Sequence, residues 1–145
     1  MRYSYDIPGI LRPARRIAIA NKSIYGGEDM GQYVDRGDHD ANDFEVGSFS
    51  TDPGWHDLNL SGIVPAGAIA VHISVAVSGP QSGWTTWFRE NGNVNSSNSA
   101  RIITQVAGIA IFQDMIVVLD SNRIIEYRTV EYMTEIDFNV RGWFL

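Results

Sequence analysis

The nine residues Asp35-Arg36-Gly37-Asp38-His39-Asp40-Ala41-Asn42-Asp43 hold the densest set of oxygen and nitrogen ligands in the chain. Two chemistries use such residues: an Arg-Gly-Asp tripeptide read by an integrin-type receptor, and an oxygen-rich loop that holds a divalent cation. The calcium loop of helix–loop–helix proteins needs Gly at its sixth position, a bidentate Glu at its twelfth and a helix on either side. Spacing and flanks here differ. Runs of charge usually face water, so a solvated acidic loop is the simpler reading and no metal is assigned.

Catalytic constellations fare no better. His39, His56 and His72 are too scattered to converge on zinc, which needs three or four ligands. Glu90, Glu126, Glu131 and Glu135 are the carboxylates available for glycoside hydrolysis, as in a cell-wall lysin, but their spacing singles out no pair. There is no Gly-x-Ser-x-Gly elbow and no Gly-rich phosphate loop before a helix. Cysteine is absent, which removes thiol catalysis, Cys-ligated zinc and disulfides. The expectation is a protein that is not an enzyme, with no catalytic residues and no cofactor.

Trp55, Trp84, Trp87 and Trp143, with Tyr127 and Tyr132, are the rings on which a sugar would stack. Core packing is the default for aromatics of a small β domain. Trp87 and Trp143 fall on the polar sides of their runs and are the two expected at the surface. A carbohydrate-binding module that holds a host glycan would use Trp87 with Asn91, Asn93 and Asn95 of the loop from Asn91 to Ser99. The three Asn-x-Ser acceptors at Asn21, Asn59 and Asn95 read as chance without a secretory signal.

The net charge of −6 conceals a segregation. Residues 1–24 carry five basic side chains (Arg2, Arg12, Arg15, Arg16, Lys22) and one acid, giving +4; residues 25–57 carry nine acids and one base, giving −8; the remainder carries −2. Either the basic segment docks on an acidic partner or the two segments pair with each other. Outside residues 1–24 the basic residues are isolated, so nucleic acid is not an expected partner. The apolar run Ile17–Ala20 is shorter than a signal-peptide core of about 7–15 residues, and nothing approaches the roughly 18 apolar residues of a membrane helix. A soluble protein with no membrane partner is expected.

Positioning falls to strands. Ile69, Val71, Ile73, Val75 and Val77 alternate with Ala70, His72, Ser74, Ala76 and Ser78, a period of two that lays one apolar face on a core. Trp55–Leu60, Trp84–Glu90, Ala100–Val106, Asp114–Leu119, Ile124–Val130 and Thr134–Leu145 add six more runs, split by turn residues at sandwich-like intervals. In the last run Ile136, Phe138, Val140, Gly142 and Phe144 share one face, with Asp137, Asn139, Arg141 and Trp143 on the other. The prediction is an all-β, antiparallel, jelly-roll-like β-sandwich over residues 51–145. Pro and Gly interrupt residues 1–50, which read as an irregular N-terminal arm, with short strands at Arg16–Ala20 and Phe44–Phe49 able to join the sheets.

Trp55-His56-Asp57-Leu58-Asn59-Leu60-Ser61-Gly62-Ile63-Val64-Pro65-Ala66-Gly67-Ala68 resembles a segment that opens a β-sandwich module of bacteriophage virion proteins. Phe88–Asn93, Thr104–Ala107, Asp114–Val117, Asp120–Tyr127 and Val140–Trp143 resemble its later strands and turns, so the likeness covers about residues 51–145. The resemblance implies a structural protein located in the virion: a capsid decoration protein, a head fibre or the distal module of a tail fibre. The short arm favours decoration. The partner implied is the major capsid protein or another virion protein, met by Arg2, Arg12, Arg15, Arg16 and Lys22. Such ornaments are usually homo-oligomers, trimers above all, which makes Trp143, Phe144 and Leu145 the expected subunit contact.

Overall fold

Alternating polarity along the chain becomes a set of antiparallel strands in a computed structural model that describes residues 31–130 and 132–145. In chain order these are β1 (Tyr33–Asp35), β2 (Phe44–Glu45), β3 (His56–Asn59), β4 (Ala70–Ser78), β5 (Thr85–Glu90), β6 (Ala100–Ile103), β7 (Ile111–Val118), β8 (Ile124–Arg128) and β9 (Glu135–Phe144). Among the described residues the only helical turns are two short 3-10 segments, Val46–Ser48 and Ser96–Asn98. The arm residues Arg2, Arg12, Arg15, Arg16 and Lys22, the strand expected at Arg16–Ala20, and Glu131 lie outside the described residues.

One sheet runs β1-β9-β4-β7, with β2 also paired to β9; the other runs β3-β8-β5-β6. The pairs nest: β2 with β9, β3 with β8, β4 with β7 and β5 with β6. A long hairpin of strands wrapped over itself gives this order, and the result is a jelly-roll sandwich.

Val71, Ile73, Val75 and Val77 of β4 point between the sheets, as their alternation requires. Ile136, Phe138 and Val140 of β9 join them from the same sheet, while Phe88, Ile102, Ile125 and Tyr127 close the core from the other. Each fully buried Val, Ile or Phe contributes about 1.5–3 kcal/mol relative to exposure. The buried Thr86 and Thr129 hydroxyls satisfy one another at 2.8 Å. Arg89 and Glu126, facing each other across β5 and β8, pair at 2.6 Å beneath the Trp55 ring.

Several boundaries move. Strands β1 and β2 both pair with β9, so the sandwich takes in residues from Tyr33 onward that the sequence reading placed in the arm before residue 51. Phe44–Phe49 yields only a two-residue strand, because a 3-10 turn follows at once. Strand β7 begins at Ile111, three residues before the expected Asp114, since β4 is long enough to pair with all of it. Ile69 falls outside β4 and is 57% exposed, whereas its expected partners on the apolar face are buried.

The end of β9 reverses the expected faces. Its register with β4 shifts between Ile73↔Val140 and His72↔Gly142, so Arg141 is an extra residue in the ladder. A bulge of one residue exchanges inside for outside in all that follows. Trp143 therefore sits opposite Val71 and packs on the core, while Phe144 sits opposite Ala70 and meets the Tyr33 ring at 5.2 Å. Trp143, Phe144 and Leu145, expected to form one subunit contact, do not share one surface.

Candidate functional site

The acidic loop between β1 and β2 is bound to the outer side of β9 and borders a depression of about 640 Å³. Its course follows from local chemistry. The Gly37 N–H donates to Asp35 Oδ1 at 2.8 Å, and Gly37 takes the left-handed backbone (φ +85°) open to glycine. Arg36 then turns back toward the sheet, and its guanidinium donates to Asp43 Oδ2 and to the Val140 carbonyl. His39 Nε2 lies 3.1 Å from Asn139 Oδ1, and the Asn139 amide donates to Asn42 Oδ1 at 2.9 Å.

This arrangement answers the two sharp readings of the loop. Arg36 of the Arg-Gly-Asp tripeptide is engaged with Asp43 and is not presented to a receptor. Among the described residues no group of three or more His, Asp or Glu side chains converges as a metal would require. Asp38, Asp40, Glu45 and Asp137 instead ring the depression with Arg141, and Phe112 of β7 stands at its side, 75% exposed. Acceptors of this density around a ring suit a polyhydroxylated ligand; no nucleophile is paired with a base.

The remaining titratable groups are scattered. His56 Nε2 lies 2.8 Å from Asp52 Oδ1, and the Gly54 N–H with His56 holds that carboxyl below its ordinary value. His72 Nδ1 lies 3.1 Å from the Tyr33 hydroxyl. Glu126 is committed to Arg89, Glu90 lies at the end of β5, and Glu135 opens β9 in the opposite sheet, so these carboxylates form no shared cleft.

The aromatic platform is dispersed as well. Trp55 covers the Arg89 guanidinium at 3.7 Å, Trp84 packs on the core with Tyr132 beside it at 5.8 Å, and Tyr127 is buried with its hydroxyl accepting the Ser50 N–H. Trp87 is half-buried on the outer face of the second sheet, with Arg128 over its ring at 5.2 Å. The Asn91 amide is bound to Asp120, Asn93 lines a small groove beside β7, and Asn95 is exposed, so the expected glycan set of Trp87, Asn91, Asn93 and Asn95 is not gathered at one place. Phe112 lies just before the run expected from Asp114, in the first residues of β7. The polar Asp114 two residues on, which shares its face, is the signal that the ring looks outward.

No protein-family model matches the chain, and no curated protein matches it either. What the structure defines is a class, an all-β jelly-roll sandwich.

Proposed function

We propose that this chain is a non-enzymatic structural protein of a virion, a capsid decoration or fibre protein that docks on a larger assembly. The observation that carries the reading is the nested antiparallel strand order, β2 with β9 around β3 with β8, β4 with β7 and β5 with β6. Viral capsid and lectin domains are among those built on this strand order. Jelly rolls also host other activities, so the assignment draws equally on the resemblance of Trp55–Ala68 and the later segments to phage virion modules. Ionic side chains in the sandwich act in the same sense: Arg36 with Asp43 and Arg89 with Glu126 tie strand to strand.

Docking falls to the basic side chains Arg2, Arg12, Arg15, Arg16 and Lys22, which would meet an acidic surface of the major capsid protein or another virion protein. Charge reversal of Arg12, Arg15 and Arg16 to Glu tests this. Particle association at low salt should be lost while the circular-dichroism spectrum stays that of a β protein. Unaltered association would refute the docking.

The outer-face depression favours a second reading, a carbohydrate-binding module. Phe112 offers a stacking surface beside carboxylates and amides that accept sugar hydroxyls. The lining acids favour neutral or amino sugars over acidic ones. A glycan array on which the wild type binds and Phe112→Ala does not would support it, and an array without signal would remove it.

A further inference from the structure

Sheet edges are where a β protein is open to pairing with another chain, and folded proteins blunt them with short strands, Pro, Lys or bulges. Three of the four edges here are short: β1 and β2 together give five residues broken by a loop, and β3 and β6 have four each. The fourth edge is different. Strand β7 has eight residues, Ile111-Phe112-Gln113-Asp114-Met115-Ile116-Val117-Val118, with no Pro, no Lys and an unbroken register against β4. Among the described strands nothing pairs with its far side.

The same strand carries three exposed apolar side chains on one face. Phe112 is 75% exposed, Ile116 61% and Val118 50%, all on the outer face, with Ile69 next to them. Together these four side chains expose on the order of 500 Å², near the upper end of the largest patch on a typical monomer. A groove of about 230 Å³ runs beside the second half of β7, lined by Ile116, Val117 and Val118 on one side and by Phe88 and Ala100 of the facing sheet on the other.

We infer that β7 pairs with β7 of a second copy of this chain, antiparallel and about a two-fold axis, so that the β1-β9-β4-β7 sheet continues through the dimer. The strand's own sequence selects the register. An axis at Asp114 would set like charges opposite one another, which is destabilising. An axis at Met115 sets Phe112 opposite Val118 and Asp114 opposite Ile116, an aromatic facing a β-branched side chain and no like charges in register. Asp114, the one charge in the strand, already lies 4.0 Å from His72 of its own subunit. Pairing over this unbroken strand would satisfy the backbone N–H and C=O groups that its free edge presents, which is how a second copy adds to an open sheet. This pairing is independent of the virion reading, and it replaces the chain's last three residues as the self-association surface.

Sedimentation of the full chain across a concentration series tests it, with hydrogen exchange of β7 measured on the same samples. The wild type should sediment at twice the chain mass, with those amides of residues 111–118 that face away from β4 becoming protected as the dimer forms. Ile116→Glu, placed outside the depression, sets a like charge opposite Asp114 of the second copy and should raise the dissociation constant about 30-fold or more. Ser61→Lys, exposed and away from β7, should leave it unchanged. If Ile116→Glu does not fold, the exchange measurement on the wild type decides alone. A wild-type monomer at high concentration, or an oligomer of any size in which the β7 amides facing away from β4 exchange freely, would overturn the pairing.

Discussion

Asp43 Oδ2 accepts the backbone N–H of Val140 at 2.8 Å, so a carboxylate stands in for a strand at the gap between β1 and β2. Strand β1 pairs with Gly142–Phe144 and β2 with Asp137–Phe138, leaving the middle of β9 without a strand on the side away from β4. The Arg36 N–H to the Arg141 carbonyl and the Asp43 N–H to the Phe138 carbonyl complete the seam. Asp43→Ala should lower unfolding stability by about 1–3 kcal/mol, the cost of leaving a partly buried donor unpaired, read from the urea midpoint. An unchanged midpoint would mean that the loop does not secure β9.

Arg89 and Glu126 form the most buried ion pair of the sandwich, with side chains 7% and 15% exposed. Removing one partner of such a pair strands a charge, whereas replacing both with apolar residues relieves it. Arg89→Ala is expected to cost toward the lower end of about 3–5 kcal/mol, and Arg89→Met with Glu126→Leu markedly less. A double variant as unstable as the single one would show that Trp55 packing on the guanidinium matters more than the charge.

Gly142 lies where β1 crosses closest to β9. A Cβ there would strike the Val34 carbonyl oxygen and the Tyr33 ring, the first of which is backbone and cannot yield. Gly142→Ala should therefore detach β1 locally. Amides of residues 33–35 and 142–144 are expected to exchange faster while those of β4 and β7 stay protected. Faster exchange throughout, or none at all, would contradict a local role.

Acid sensitivity has a named source in the turn before β8. Burial opposes ionisation of Asp120, but the Ile124 N–H at 2.7 Å, the Asn91 amide at 3.0 Å and the Asn122 N–H at 2.9 Å outweigh it and hold the carboxyl below its ordinary value. With the folded value lowered, the unfolded chain binds more protons near its own value of about 3.9; the stability from Asp120 is complete above that pH and disappears as pH falls through the folded value. The difference between wild type and Asp120→Asn should be constant above about pH 5 and shrink below about pH 4. A difference that does not change with pH would contradict the assignment.

Strong periodicity made β4 legible, and the turn residues around Ser78–Gly83 and Asn91–Ser99 bounded β5 from the sequence. The runs expected for β3 and β8 held because Leu58, Ile125 and Tyr127 alternate with polar neighbours. What escaped was non-local. Three residues at Tyr33–Asp35 carry no periodic signal and are strand only because β9 lies beside them. The bulge at Arg141 depends on a register that no single run encodes, and it turned Trp143 inward and Phe144 outward against the local pattern. Of the site, the acidic loop was recognised but its fastening to Asn139 and Val140, about a hundred residues away, was not.

The most direct test of the structural role is to band purified phage particles from a strain carrying this gene in a density gradient and probe the fractions with an antibody to the protein. The account predicts that the protein bands with the major capsid protein, at a fixed copy number per particle. Finding it in the soluble lysate alone, with none on the particles, would contradict the account.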